Sequence, residues 1–268
     1  MLISREKKNN MVDKMAATEK NVGAATVVSS FSELLCVGKD IMTVQLNDKG
    51  KVRLFSRYKN SDGSIGGFVE STAKVDASYV GPTAIVAENA VVKYSRVEDT
   101  AIVFGNASVD GAEVCGRSVI FGSAQIFSMA KGENSESRML LIENSTVFGS
   151  PIISGNSSIR SSFVFGGAAI RNSEITNSQV EGKTEVQNSS VKGSKIYGDA
   201  QVQNSSVEGS KIYESAQVFD SMVSGAEVCG AADISNTVIN PGEKVGGTER
   251  RENGEIYPGA TPEKPKPD

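Results

Sequence analysis

The chain contains no histidine. General acid–base chemistry at neutral pH most often uses that side chain, and an Asp or Glu in its place needs a raised pKa in a defined pocket. Histidine-based zinc sites are excluded for the same reason, and Cys36, Cys115 and Cys229 form an odd, scattered set without metal-ligand spacing. The sequence therefore predicts no catalytic residue, no metal and no cofactor. The side chains left to do chemistry at a surface are rings and one polar stretch. Phe148, Phe165, Glu181, Tyr197 and Tyr213 recur at a near-constant interval, and Phe127, Lys131 and Arg138 lie in segment 127–141, which breaks that rhythm. Phe148, Phe165, Tyr197, Tyr213, Phe127, Lys131 and Arg138 are the candidate binding residues.

The elements that position these rings follow from an internal repeat. Val186 to Gln201 is followed at once by Val202 to Gln217 with almost the same residues, and β-branched residues recur at steps of 5, 5 and 6. Three evenly placed apolar anchors in so short a unit suit one turn of a three-sided β-solenoid and are too few for a helix pair or a propeller blade. The anchors sort into three columns. The first reads Val69, Val86, Val103, Ile120, Ile153, Ile170, Val186, Val202, Val218 and Ile234. The second reads Val75, Val92, Val109, Ile126, Ile142, Ile159, Ile175, Val191, Val207, Val223 and Ile239. The third reads Val80, Val97, Val114, Val147, Val164, Val180, Ile196, Ile212 and Val228. The period is close to 17 up to Ile170 and 16 beyond it. A small residue two positions before many anchors, as in Ala107-Ser-Val109 and Ala200-Gln-Val202, shares the anchor's face and turns inward with it.

A chain that turns every five or six residues needs backbone conformations favouring Gly, Asn or Asp at its corners. Gly105, Gly122, Gly155, Asn172, Asn188, Asn204, Asp220 and Asn236 follow the first column, and Gly116, Gly149, Gly166, Gly182, Gly198 and Gly230 follow the third. An antiparallel β domain with regular turns would not hold three columns in phase for about 170 residues. The expected fold is all-β, a single-stranded parallel β-helix of about eleven coils of about 16–17 residues with an N-terminal β cap. The asparagines are read as a structural ladder at a turn.

Residues 1–30 lack apolar periodicity and read as disordered or loosely helical. Two strand-like runs flank Asn47-Asp-Lys-Gly50, and residues 31–65 read as a β-hairpin cap over the first coil. The solenoid is expected over 66–240 with the excursion at 127–141, which returns to the second column and so is read as keeping register. Residues 241–268, rich in proline, read as a flexible tail. Net charge is −4, with no basic patch to suggest nucleic acid and no apolar run of membrane-spanning length. Cys115 and Cys229, seven turns apart, are separated by roughly 34 Å at about 4.8 Å per turn, too far for a disulfide. Free thiols suit a reducing compartment, so a cytoplasmic location is expected; secretion without a cleaved signal peptide is the alternative.

The opening Gly66-Gly67-Phe68-Val69-Glu70, followed by Phe104-Gly-Asn-Ala-Ser-Val109, Phe121-Gly-Ser-Ala-Gln-Ile126 and Tyr197-Gly-Asp-Ala-Gln-Val202, resembles a group of bacterial and phage proteins. They carry a Gly-Gly-aromatic-Val/Ile-Glu opening and runs of Tyr-Gly-Asn/Asp-Ala-x-Val. They are similar to the trimeric hexapeptide-repeat, acyltransferase-like superfamily. The resemblance covers roughly residues 50–240 and implies a left-handed β-helix, which periodicity alone does not fix. The 5-5-6 turns depart from that superfamily's regular six-residue repeat. Many of its members are acyltransferases with a histidine base, and others bind metal through histidines between subunits. The missing histidine leaves the resemblance carrying the fold and not the chemistry.

The leading expectation is a non-catalytic β-solenoid scaffold that binds a protein partner or self-associates as a homo-oligomer, with neither nucleic acid nor membrane as partner. The alternatives are a secreted bacterial effector, for which the polar segment 1–30 would serve as the secretion signal, an acyltransferase-like enzyme, and a phage structural component. The ring stripe is either a binding strip or a support for its corner.

Overall fold

In the computed structural model the described residues are 26–30, 33–34, 36–38, 41–48, 51–128 and 140–257. The chain divides into two compact units, one ending at Arg57 and one beginning at Tyr58. In the first, strands Thr43–Asp48 and Lys51–Lys59 pair antiparallel, as the expected hairpin, and Thr26–Val28 pairs parallel with Thr43–Asp48. Val28, Leu34, Val37, Val44, Leu46 and Phe55 are its buried apolar residues. The Arg57 guanidinium donates to the carbonyls of Val37, Gly38 and Ile41 and ties that segment to the hairpin.

The second unit is a parallel β-solenoid with three walls. After the six-residue Ile65–Glu70, strands of two to four residues stack coil on coil, and one β-branched side chain from each turns into the prism while most of its neighbours face out. The core is Val, Ile and Ala, with Leu140 as its single leucine and no buried ring inside the prism among the described residues. Wall A stacks Val69, Val86, Val103, Ile120, Val147, Val164, Val180, Ile196, Ile212, Val228 and Val245. Wall B stacks Val75, Val92, Val109, Ile126, Ile153, Ile170, Val186, Val202, Val218 and Ile234, and wall C runs from Val80 through Val114, Ile142 and Ile159 to Ile239.

This stacking corrects the columns. Ile120 pairs with Val147 and Ile126 with Ile153, so every expected column changes wall at the excursion. Five residues separate Val109 on wall B from Val114 on wall C, and sixteen separate Ile126 from Ile142 on the same two walls. The excursion is thus eleven extra residues at one B-to-C corner, and no coil is lost. The three walls present the same kind of anchor at nearly the same spacing, so periodicity reports the step and not the wall.

The corners divide into two kinds. At six-residue corners the small inward residue is mostly alanine, and the N–H of Ala73, Ala84, Ala90 and Ala101 is taken by the carbonyl three residues earlier. A five-residue corner is too tight to close that turn, and at most of them a serine supplies the acceptor instead, with Ala112 and Ala226 as exceptions. Ser178 Oγ donates to the Thr176 carbonyl at 2.7 Å and accepts the Ser194 N–H at 3.1 Å; Ser194 repeats this with Lys192 and Ser210. A second ladder runs through Ser173, Ser189, Ser205 and Ser221 to Thr237 at the B-to-C corner. Every serine in these ladders is buried, so each hydroxyl satisfies backbone groups that water cannot reach.

The two ends are closed differently. Asn60 is buried, and its side-chain amide accepts the Val80 N–H at 2.9 Å and donates to the Val80 carbonyl at 3.2 Å, pairing the first strand of wall C as a peptide would. The Gly66-Gly67 opening is required by close approach: a Cβ would lie 2.3 Å from the Val80 carbonyl oxygen at Gly66 and 2.0 Å from that of Ala84 at Gly67. At the other end, residues 241–257, expected in the tail, continue the solenoid. Lys244–Val245 stacks on wall A, Arg250–Glu252 on wall B, and Glu255–Tyr257 folds back antiparallel on the latter. Arg251 takes the place of a wall B anchor and is paired with Glu243 and Glu249, so ion pairs cover the last apolar layer. The expected tail residues 258–268, and residues 1–25 of the expected disordered segment, lie outside the described residues.

Candidate functional site

The outward position after the wall A anchors carries the rings from Val103 to Ile212. Phe104, Phe121, Phe148 and Phe165 form one continuous stack with centroid separations of 5.0, 5.2 and 5.0 Å and near-parallel planes. Glu181 interrupts it, and Tyr197 and Tyr213 resume it at 4.8 Å. The stripe expected from the sequence is therefore one column, and it extends two rings further than expected. Sequence reasoning misses Phe104 and Phe121 because the excursion assigns them to another column. The outward position before each anchor on the same wall holds Ile102, Val119, Thr146 and Phe163, the last 55% exposed. Over four coils wall A thus presents the ring column beside a second column that is apolar except at Thr146.

Phe127 stands apart, on wall B between Asp110 and Ser154. Lys131 and Arg138 lie outside the described residues. The structure therefore brings together four of the seven candidate residues.

Below Tyr213 the rings end at Cys229, and the neighbouring outward column carries Lys211, Glu227 and Lys244. The Tyr213 hydroxyl donates to Glu227, which also accepts from Lys244; that bond raises the pKa of Tyr213 and lowers that of Glu227. On wall C, burial and then Glu113 and Glu143 push the Cys115 thiol up to about 11, which keeps it protonated and weakly nucleophilic. Cys229 lies on wall A, so the two thiols follow different walls. Among the described residues no group of three Cys, Asp or Glu could hold a metal ion.

A concave surface follows the corner between walls B and C. It is a groove of about 1030 Å³ running from Glu113 to Val238. One side is the asparagine ladder. Asn172 donates to Asn188 Oδ1 at 3.3 Å, Asn188 to Asn204 at 3.1 Å and Asn204 to Asp220 at 3.0 Å, each residue holding positive φ. The Asp220 side chain has no N–H to pass on, and the ladder restarts with Asn236 donating to Asn253. The other side is the outward row of wall C, with Ser158, Glu174, Ser190, Ser206, Met222 and Val238. The turn ladder matches the expectation; the groove it borders does not follow from the sequence, because concavity depends on how far each corner protrudes.

No protein-family model matches the chain, and no curated protein is similar to it. Among solved structures it is similar to a Bacillus cereus protein provisionally described as an acetyltransferase, at 13% identity over 71% of this chain and 87% of that one, with a TM-score of 0.19. A superposition that loose carries no argument about function. The class of protein is defined by the coils themselves: an all-β, three-walled parallel β-solenoid.

Proposed function

We propose that the chain is a non-catalytic scaffold whose wall A docks a protein partner or a second copy. The observation that supports this is the paired apolar columns, with Phe163 standing out beside the ring stack. Rings on a rigid wall bind with little loss of side-chain entropy, and contiguous apolar patches of this kind mark interaction surfaces. Stacking alone would need only the column after the anchors; Phe163, outside that stack, has no such duty.

The variant Phe163→Ser isolates binding from support. The reading expects an unchanged thermal melt together with loss of concentration-dependent association in sedimentation, or of capture of a purified partner. Phe148→Ser with Phe165→Ser is expected to weaken association by at least tenfold. A protein that is monomeric at every concentration and takes up no partner, or a Phe163→Ser variant that associates like the parent, overturns the proposal.

A further inference from the structure

We propose that the groove at the corner of walls B and C binds a linear, uncharged polysaccharide. Its shape selects an extended polymer. Glu113 to Val238 covers eight coils of wall C, about 34 Å at about 4.8 Å per coil, so a groove of about 1030 Å³ is much longer than it is wide. That admits one extended chain and excludes a folded domain.

The lining selects among polymers. Its charged groups are Glu113, Glu174 and Asp220 against Arg160, a net negative balance that repels nucleic acids and acidic glycans. A peptide strand gains affinity by pairing with an open sheet edge, yet the strands beneath the groove are paired on both sides: Ser190–Lys192 lies between Glu174–Thr176 and Ser206–Glu208. What the groove offers is neutral hydrogen bonding repeated at each coil. Asn172, Asn188 and Asn204 each spend the carbonyl oxygen and one N–H on an adjacent coil and retain a second N–H, while Ser190 and Ser206 add hydroxyls that donate or accept. A chain of sugar hydroxyls meets both needs at every unit. Met222 and Val238, 53% and 58% exposed, provide an apolar end for the C–H face of a ring. Each contact is weak, and affinity accumulates because successive units bind intramolecularly once the first is held.

The test is affinity electrophoresis of the full chain in native gels cast with neutral hydroxyethyl cellulose, with neutral galactomannan or with acidic polygalacturonate, beside gels without polymer. The expected result is at least a twofold retardation in one of the neutral polymers. Ser190→Tyr with Ser206→Tyr, both at exposed positions, fills the groove and abolishes the retardation with the melt unchanged; if that pair disturbs the melt, Ser190→Gln with Ser206→Gln is expected to reduce the retardation by half or more. Phe163→Ser, on wall A, leaves it intact, which separates this site from the docking wall. Mobility unchanged in both polymers, retardation that survives the groove variants, or retardation confined to polygalacturonate overturns the proposal.

Discussion

The corner rule makes two substitutions of similar size act in opposite directions. Ser194 lies at a five-residue corner, where its hydroxyl is the acceptor for the Ser210 N–H, 3.1 Å away on a residue only 2% exposed. In Ser194→Ala that N–H loses its partner in a site closed to water, whereas the Lys192 carbonyl keeps the Gly209 N–H. The loss is therefore one orphaned donor, about 1–3 kcal/mol. Thr184 lies at a six-residue corner where neighbouring coils carry Ala168 and Ala200, and its buried hydroxyl has no hydrogen-bond partner. Thr184→Val removes that unmet hydroxyl and keeps the shape, so it is expected to stabilise by about 0.5–2 kcal/mol. Urea melts measure both. Because solenoid coils can unfold without full cooperativity, hydrogen exchange at the Ser210 amide reads the local effect directly. A Ser194→Ala cost below about 0.5 kcal/mol, under the floor for an orphaned buried donor, or a Thr184→Val variant that loses stability like Ser194→Ala, refutes the rule.

Gly166 holds φ of +80°, beyond the left-handed region that other residues occupy here, and a Cβ would meet the Gly182 backbone at 2.9 Å; Gly166→Ala is expected to cost at least about 1–2 kcal/mol in a thermal melt. Gly193 is the contrast, with φ of +58° and no atom nearer than 3.9 Å, so Gly193→Asn, matching Asn177 one coil away, should lower stability by less than about 0.5 kcal/mol. Glu243 is held at about 2, well below its ordinary 4.5, by the hydrogen bond from Arg251. A depressed carboxyl stabilises the fold above its unfolded pKa and loses that contribution as pH falls toward the folded one. Exchange protection of the Arg250–Glu252 strand should thus decline between about pH 4.5 and pH 2, and in Glu243→Gln that pH dependence should disappear.

Anchors and corners are legible because each has a residue-type signature: β-branched side chains inward, and Gly, Asn or Asp where φ is positive, as found at Gly105, Gly166, Asn188 and Asp220. The wall to which an anchor belongs has no such signature. Eleven extra residues plus a normal step of five imitate a full coil of sixteen, and that coincidence hides Phe104 and Phe121 from the ring column. The serine ladders are visible in the sequence only as small residues before anchors. Their second property, a hydroxyl spanning two coils, becomes readable once serine is matched to five-residue spacing and alanine to six. The last coil escapes notice because Arg251, a charged residue, stands where a Val or Ile is sought. The groove depends on the relief of a corner, which no residue pattern encodes.

The near-identical stretches beginning at Val186 and Val202 place like on like, Val191 under Val207 and Ile196 under Ile212, with serine and asparagine bonds reaching only the adjacent coil. The free energy of such a coil then depends on its two neighbours and not on the total number. Duplication or deletion of one sixteen-residue unit would leave every remaining contact in place and change the distance from the ring column to the Arg251 end by about 4.8 Å. The molecule behaves as a ruler whose length is written in whole coils, a dimension that recombination within its own coding repeat can adjust without redesigning a single contact.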